Sequence, residues 1–278
     1  MGDKSGHTEG NRGHRARVLV FDSGVGGLSI LEEIRRLLPA TDLLYASDNG
    51  FFPYGPKEPE ELEKRVISVL PAILEAFPAD LAVVACNTAS TVTLPALRRR
   101  HSLPFVGVVP AIKPAAAVTR NGIIGLLATP WTVRSPYTAG LHRDFASGHS
   151  LVCHGSIKLV EMAEEKIRGR PPSAADVEAE LEPLFRGAGG QPDTVVLGCT
   201  HFPLLREELA AAAPCPVRWL DSGAPVARRV GELLGPEKDS GSGSLEALFT
   251  ARDERSRSLE PVFSRLGFRS IHFHTGPA

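Results

Sequence analysis

Asp80–Ser90 reads DLAVVACNTAS, an apolar run that ends on a thiol and passes at once into Asn and Thr. Asp193–His201 reads DTVVLGCTH and has the same outline, an Asp six positions before a Cys and small polar groups after it. A short apolar run rich in Val and closed by a polar turn predicts a buried strand, and the longer pattern after Cys86 predicts a helix. Buried strands alternating with helices define a parallel α/β sheet, and the repetition of the unit predicts two of them.

The rest of the chain extends this pattern. Further strands are predicted in RVLVF from Arg17, DLLYA from Asp42, PFVGV from Pro104, GIIGLLA from Gly122 and VRWLD from Val217. Between them, LSILEEIRRLL from Leu28 places Leu28, Leu31, Ile34, Arg35 and Leu38 at helical spacing. The expected fold is α/β, two similar domains with parallel sheets related by a pseudo-twofold and an active site in the cleft between them. The expected boundaries are a disordered tail over 1–16, a first domain over 17–110 plus 220–278, and a second over 111–219. The tail is rich in Gly, His and Arg without apolar periodicity, and GPEKDSGSGS over 235–244 has the composition of a flexible loop.

Composition narrows the function. With 278 residues, 42 % of them hydrophobic, the chain can bury a substantial core. Its 31 basic and 32 acidic residues give a formal charge of -1, which provides no global attraction to nucleic acid or an anionic membrane. No apolar run approaches the ~20 residues that span a bilayer, and the N-terminus lacks the apolar centre of a secretory signal, so a cytoplasmic protein is expected. Four scattered cysteines read as free thiols rather than a disulfide framework. Cys153 and Cys215, without polar neighbours, are expected to be buried.

In an open α/β sheet, ligands bind beyond the carboxyl ends of the strands. The segments there are DSGVGG at Asp22–Gly27, DNGFFPYG at Asp48–Gly55, CNTAS at Cys86–Ser90, ATPWT at Ala128–Thr132, CTH at Cys199–His201 and DSG at Asp221–Gly223. A thiol at a helix start is expected to ionise below its free value of ~8.5 and to serve as a base. The bland alternative for either Cys alone is a small core residue, but Asn87, Thr88, Thr200 and His201 are poor core residues. Neither thiol has a CxxC neighbour, so no metal is expected. A Cys/His nucleophile leaves the second thiol without a role. The glycines after Asp22 lack the spacing of either nucleotide fingerprint and suit a tight turn that presents Asp22 and Ser23.

FDSGVGGLSILEEI, PYG, ACNTAS, GLLATPWTVRS, LVE and LGCTHFPLL, spread from about Val18 to about Val226, together resemble the glutamate racemase family of the cofactor-independent aspartate/glutamate racemase superfamily. The resemblance implies a two-base mechanism without cofactor. Cys86 and Cys199 stand on opposite faces of the substrate Cα, one removing a proton while the other delivers one, which accounts for the repeated strand-to-thiol unit. By position, Asp22 is similar to the assistant of the first thiol, and Glu161 and His201 to those of the second. Asp22, Ser23, Tyr54, Gly55, Asn87, Thr88, Thr200 and His201 match the substrate-binding positions. The implied substrate is glutamate, converted to D-glutamate for peptidoglycan, and a homodimer is the expected assembly. A racemase of aspartate or a hydantoin, a non-catalytic binding protein on the same fold and a Cys/His hydrolase remain as alternatives.

Overall fold

The computed structural model describes residues 15–187, 190–236 and 241–274. Strands β1 (Arg17–Asp22), β2 (Asp42–Ser47), β3 (Leu81–Val84) and β4 (Phe105–Gly107) come first, then β5 (Ile123–Ala128), β6 (Ser150–Gly155), β7 (Thr194–Leu197) and β8 (Arg218–Leu220), and finally β9 (Leu245–Phe249) and β10 (Ser270–Phe273). They form two wholly parallel sheets, ordered β10-β9-β2-β1-β3-β4 and β6-β5-β7-β8. The arrangement β2-β1-β3-β4 is thus repeated strand for strand by β6-β5-β7-β8. In that correspondence β3, which leads to Cys86, matches β7, which leads to Cys199.

Each sheet is covered on both faces, as continuous apolar strands require. Along β1, Val18 and Val20 join one core while Leu19 and Phe21 join the other. Along β7, Val195 and Leu197 face one layer of helices and Val196 the opposite one. The Asp that opens each repeat anchors the neighbouring central strand. Asp80 Oδ2 accepts the Arg17 N–H at 2.8 Å, at the start of β1. Asp193 accepts from the Thr119 hydroxyl at 2.8 Å and from the Arg120 and Asn121 N–H groups at 2.7 and 3.0 Å, just before β5.

The chain passes between the sheets twice, after β4 and after β8. Ser222 Oγ donates to the Val109 carbonyl at 2.5 Å and ties the two crossings together. Leu220 pairs with Val196 and so belongs to the smaller sheet. Two strands lack a sequence signal, for physical reasons. β6 is an edge strand with no buried residue, and β9 (LEALF) carries no β-branched residue. Cys153, expected to be buried, is exposed on that edge strand, and Cys215 is half-buried. Of the expected tail, residues 1–14 lie outside the described residues, and Arg15 Nη1 donates to the Ser242 carbonyl at 2.8 Å. Of the expected flexible loop, 237–240 lie outside as well.

Candidate active site

Equivalent strand ends deliver the two thiols to one place. β3 is fully buried, so the chain leaves it in an extended conformation at Cys86 (φ -141°, ψ 123°) and turns into the helix Asn87–Arg100. β7 leads through Gly198 to Cys199, and a short 3₁₀ turn follows over Phe202–Leu205. Both thiols are buried and line one cavity with Ser23, Tyr54, Gly55, Asn87, Thr88, Thr200 and His201. Phe52, Pro53, Thr129, Ile157 and Val160 complete its walls. Its volume is about 20 Å³, room for roughly one water, so the cleft between the two halves is narrow.

On the Cys199 side, the sulfur lies 3.8 Å from His201 Nδ1, and His201 Nε2 lies 3.0 Å from Glu164 Oε1. Burial alone would lower the histidine, but its hydrogen bonds to Cys199 and Glu164 and the nearby negative charges outweigh that and hold it well above its usual value. Burial likewise opposes ionisation of Glu164. The bond and charge of His201, the charge of Arg168 and the Val25 N–H outweigh it and hold the carboxyl at about 2. Glu164 and His201 are therefore an ion pair beside the thiol.

This arrangement corrects the sequence expectation for Glu161. The helix Lys158–Ile167 buries Leu159, Val160, Met162, Ala163 and Glu164, whereas Glu161 points outward and is exposed. The residue that reaches His201 is three positions further on. A signal for it existed in the sequence. Val160, Ala163 and Glu164 fall at i, i+3 and i+4 on the inward stripe, and Arg168 stands four residues after Glu164.

The Cys86 side is chemically different. Asp22, at the end of β1, is wholly buried; Oδ2 accepts the Gly27 N–H at 2.9 Å and the Gly24 N–H at 3.3 Å, and Oδ1 has no partner. Burial raises this carboxyl, against the lowering effect of His201 and of the backbone donors. Cys86 is pushed well above the ordinary thiol value, first by burial and then by the charge of Asp22, which the N–H groups of Ala89 and Thr88 only partly offset. The expectation that the helix start lowers this thiol fails in the closed cleft, because desolvation outweighs the dipole.

The glycines of DSGVGG also have a reason other than a tight turn. None of them has a positive φ. A methyl group at Gly24 would overlap the Glu164 carboxylate, and one at Gly26 the His201 ring. The bare loop lets the second half of the molecule pack directly against it. Val25 N–H donates to Glu164 Oε1 at 2.8 Å, and Ser29 Oγ to the Thr200 carbonyl at 2.9 Å. Thr88 and Thr129 hydroxyls, one from each half, lie 3.3 Å apart.

Tyr54 lines the cavity, and its hydroxyl donates to Asp48 Oδ2 at 2.7 Å. Asp48, fully buried, also accepts from Arg65 at 2.8 and 3.0 Å and from Thr250 at 2.6 Å. Phe52 lies beside the His201 ring at 6.0 Å between centroids, with the Arg255 guanidinium 5.3 Å from the Phe52 ring. Among the described residues no cluster of His, Cys, Asp and Glu could hold a metal ion.

Two parallel α/β halves, each carrying one strand-end thiol into a shared cleft, define an isomerase of the racemase class. The chain belongs to the Asp/Glu/Hydantoin racemase family, whose model matches residues 19–230. It is 50 % identical to the glutamate racemase of Klebsiella pneumoniae over 259 residues, 92 % of this chain and 91 % of that one. The Escherichia coli glutamate racemase, solved with L-glutamate and the activator UDP-MurNAc-Ala, superposes with a TM-score of 0.89 at 47 % identity, covering 95 % of this chain and 100 % of that one. Glutamate racemase isoform RacE1 from Bacillus anthracis gives 0.80 at 30 % identity, with 93 % and 97 % coverage.

Proposed function

We propose that the chain interconverts L- and D-glutamate by proton transfer between Cys86 and Cys199, and so supplies D-glutamate for peptidoglycan. The observation that carries this is the pair of thiols at equivalent strand ends lining one cavity. The high identity to glutamate racemases supports glutamate as the substrate.

The Cα–H of an amino acid is a weak acid, so its removal needs positioned bases, exclusion of water and stabilisation of the developing charge. The two segments expected as domains, with the boundary moved past Leu220 to the end of β8, part to admit substrate and close around it. Backbone N–H groups at Asn87 and Thr88 open a helix and suit a substrate carboxylate. Asp22 Oδ1 and Asn87 Oδ1, both buried without partners, accept from its ammonium. That ammonium adds positive charge beside Asp22 and favours ionisation on the Cys86 face. His201, held protonated by Glu164, is the proton partner of Cys199. Each thiol serves as base for one enantiomer and as acid for the other.

The protein is further proposed to be a cytoplasmic homodimer. No described helix is long and apolar enough to cross a membrane, and light scattering on the purified chain reads the assembly. The function is tested by NMR of Cα–H exchange in D2O, offering each enantiomer to the wild type, Cys86→Ser and Cys199→Ser. Racemisation by the wild type, with opposite enantiomer bias in the two variants, is the expected result. No turnover of glutamate by the wild type rejects the substrate; loss in only one variant rejects the paired mechanism.

A further inference from the structure

We infer that Arg168 is a positioning residue for the Cys199 half of the reaction, holding Glu164 so that one carboxylate oxygen joins the two halves of the closed cleft to His201. The inference rests on the racemase function proposed above. Glu164 Oε1 has two partners from opposite halves, the Val25 N–H at 2.8 Å and His201 Nε2 at 3.0 Å. To serve both, the carboxylate must keep one rotation, and its other oxygen fixes that rotation. Arg168 Nη1 donates to Glu164 Oε2 at 2.7 Å and to the Glu164 backbone carbonyl at 2.7 Å. Its Nε donates to Ser258 Oγ at 3.2 Å, on the helix Glu254–Arg265 of the first half.

Arg168 is thus held from both sides of the cleft. The Arg168 and Glu164 side chains are only 6 % and 8 % exposed, so the pair is not a surface ion pair of negligible effect. Three charges stand in line, the His201 imidazolium, the Glu164 carboxylate and the Arg168 guanidinium, and the last touches neither thiol nor cavity. Its planar fork bonds the side chain and backbone of one residue while reaching a third group, which a lysine ammonium does not reproduce.

The test compares wild type, Arg168→Met and Arg168→Lys by two measurements. The first is amide hydrogen exchange at Val25 in the substrate-free protein, referred to Leu19 and Val20 in β1. Val25 is expected to exchange about tenfold faster or more in Arg168→Met while the strand amides keep their rates, with Arg168→Lys between. The second is the primary isotope effect on kcat/KM with each 2-deuterated glutamate enantiomer. Misplacing Glu164 should slow turnover by up to about 100-fold. It should also raise the isotope effect for the enantiomer whose proton Cys199 takes, assigned from Cys199→Ser, and lower it for the other.

Parallel isotope effects on both enantiomers indicate general loosening and overturn the inference. An unchanged Val25 rate overturns it whatever the substrate proves to be. A wild type inactive on glutamate rejects the proposed function instead, and Val25 exchange still decides the role of Arg168. Should Arg168→Met fail to fold, Arg168→Lys carries both readings.

Discussion

Replacing Glu164 with Gln distinguishes it from Glu161 on the same Lys158–Ile167 helix and tests the charge distribution around Cys199. Glu164 falls from its ordinary 4.5 to about 2, a difference worth about 3 kcal/mol in favour of the ionised carboxylate. A depressed acid stabilises the fold above its unfolded value and stops doing so as pH falls through the folded one. The contribution is therefore complete above about pH 4.5, roughly half lost near pH 3 and absent below about pH 2. His201 mirrors it with opposite sign. Its raised value stabilises fully below 6.5 and loses that effect as pH rises through the folded value. Both limbs report the same ion pair, so their energies are not added. Urea unfolding at pH 7 should show Glu164→Gln less stable by about 3 kcal/mol, narrowing to roughly half that near pH 3. Glu161→Gln, on the exposed face, should stay within about 0.5 kcal/mol of wild type at both pH values. A deficit that does not narrow with acid, or an equal loss in both variants, would refute the assignment of Glu164 as the partner of His201.

Gly26→Ala drives a methyl group into the His201 ring and should lower kcat by about 100-fold; wild-type turnover in a steady-state assay contradicts the close-approach explanation for the bare loop. Arg65→Leu leaves the buried Asp48 carboxylate with hydroxyl partners alone and should cost about 3–5 kcal/mol in urea unfolding. A loss below about 1 kcal/mol would show that Arg65 is dispensable to that network. Cys86→Ser and Cys199→Ser should block Cα–H exchange from opposite enantiomers, read by NMR in D2O.

The strands that carry the site were legible because each is an apolar run with nothing ambiguous at its end. Arg17–Asp22, Thr194–Leu197 and their neighbours fall where Val- and Leu-rich runs predict them. β6 and β9 were not, since an exposed edge and a Leu/Ala strand have no period to read. Position along the chain was enough to bring Cys86, Cys199, Asp22 and His201 together, because strand ends in a parallel sheet share one side. It was not enough for Glu161, where three residues, less than one helical turn, separate the cleft from solvent. Motif spacing carries no information on helix rotation; the apolar stripe beneath Glu164 does. The raised Cys86 thiol was hidden as well, since it depends on burial and on an Asp from another strand.

The closed cleft has a consequence for the lifetime of the molecule. Sulfur oxidation by peroxide proceeds through exposed thiolate. With space for roughly one water around them, the buried Cys86 and Cys199 are poorly accessible to dissolved oxidants in this conformation. Cys153, on the open edge of the smaller sheet, is exposed, but partial burial pushes its thiol up, so it offers peroxide little thiolate. Under the proposed opening of the cleft, oxidative inactivation should therefore track how often the two halves part, so that a working enzyme ages faster than a resting one.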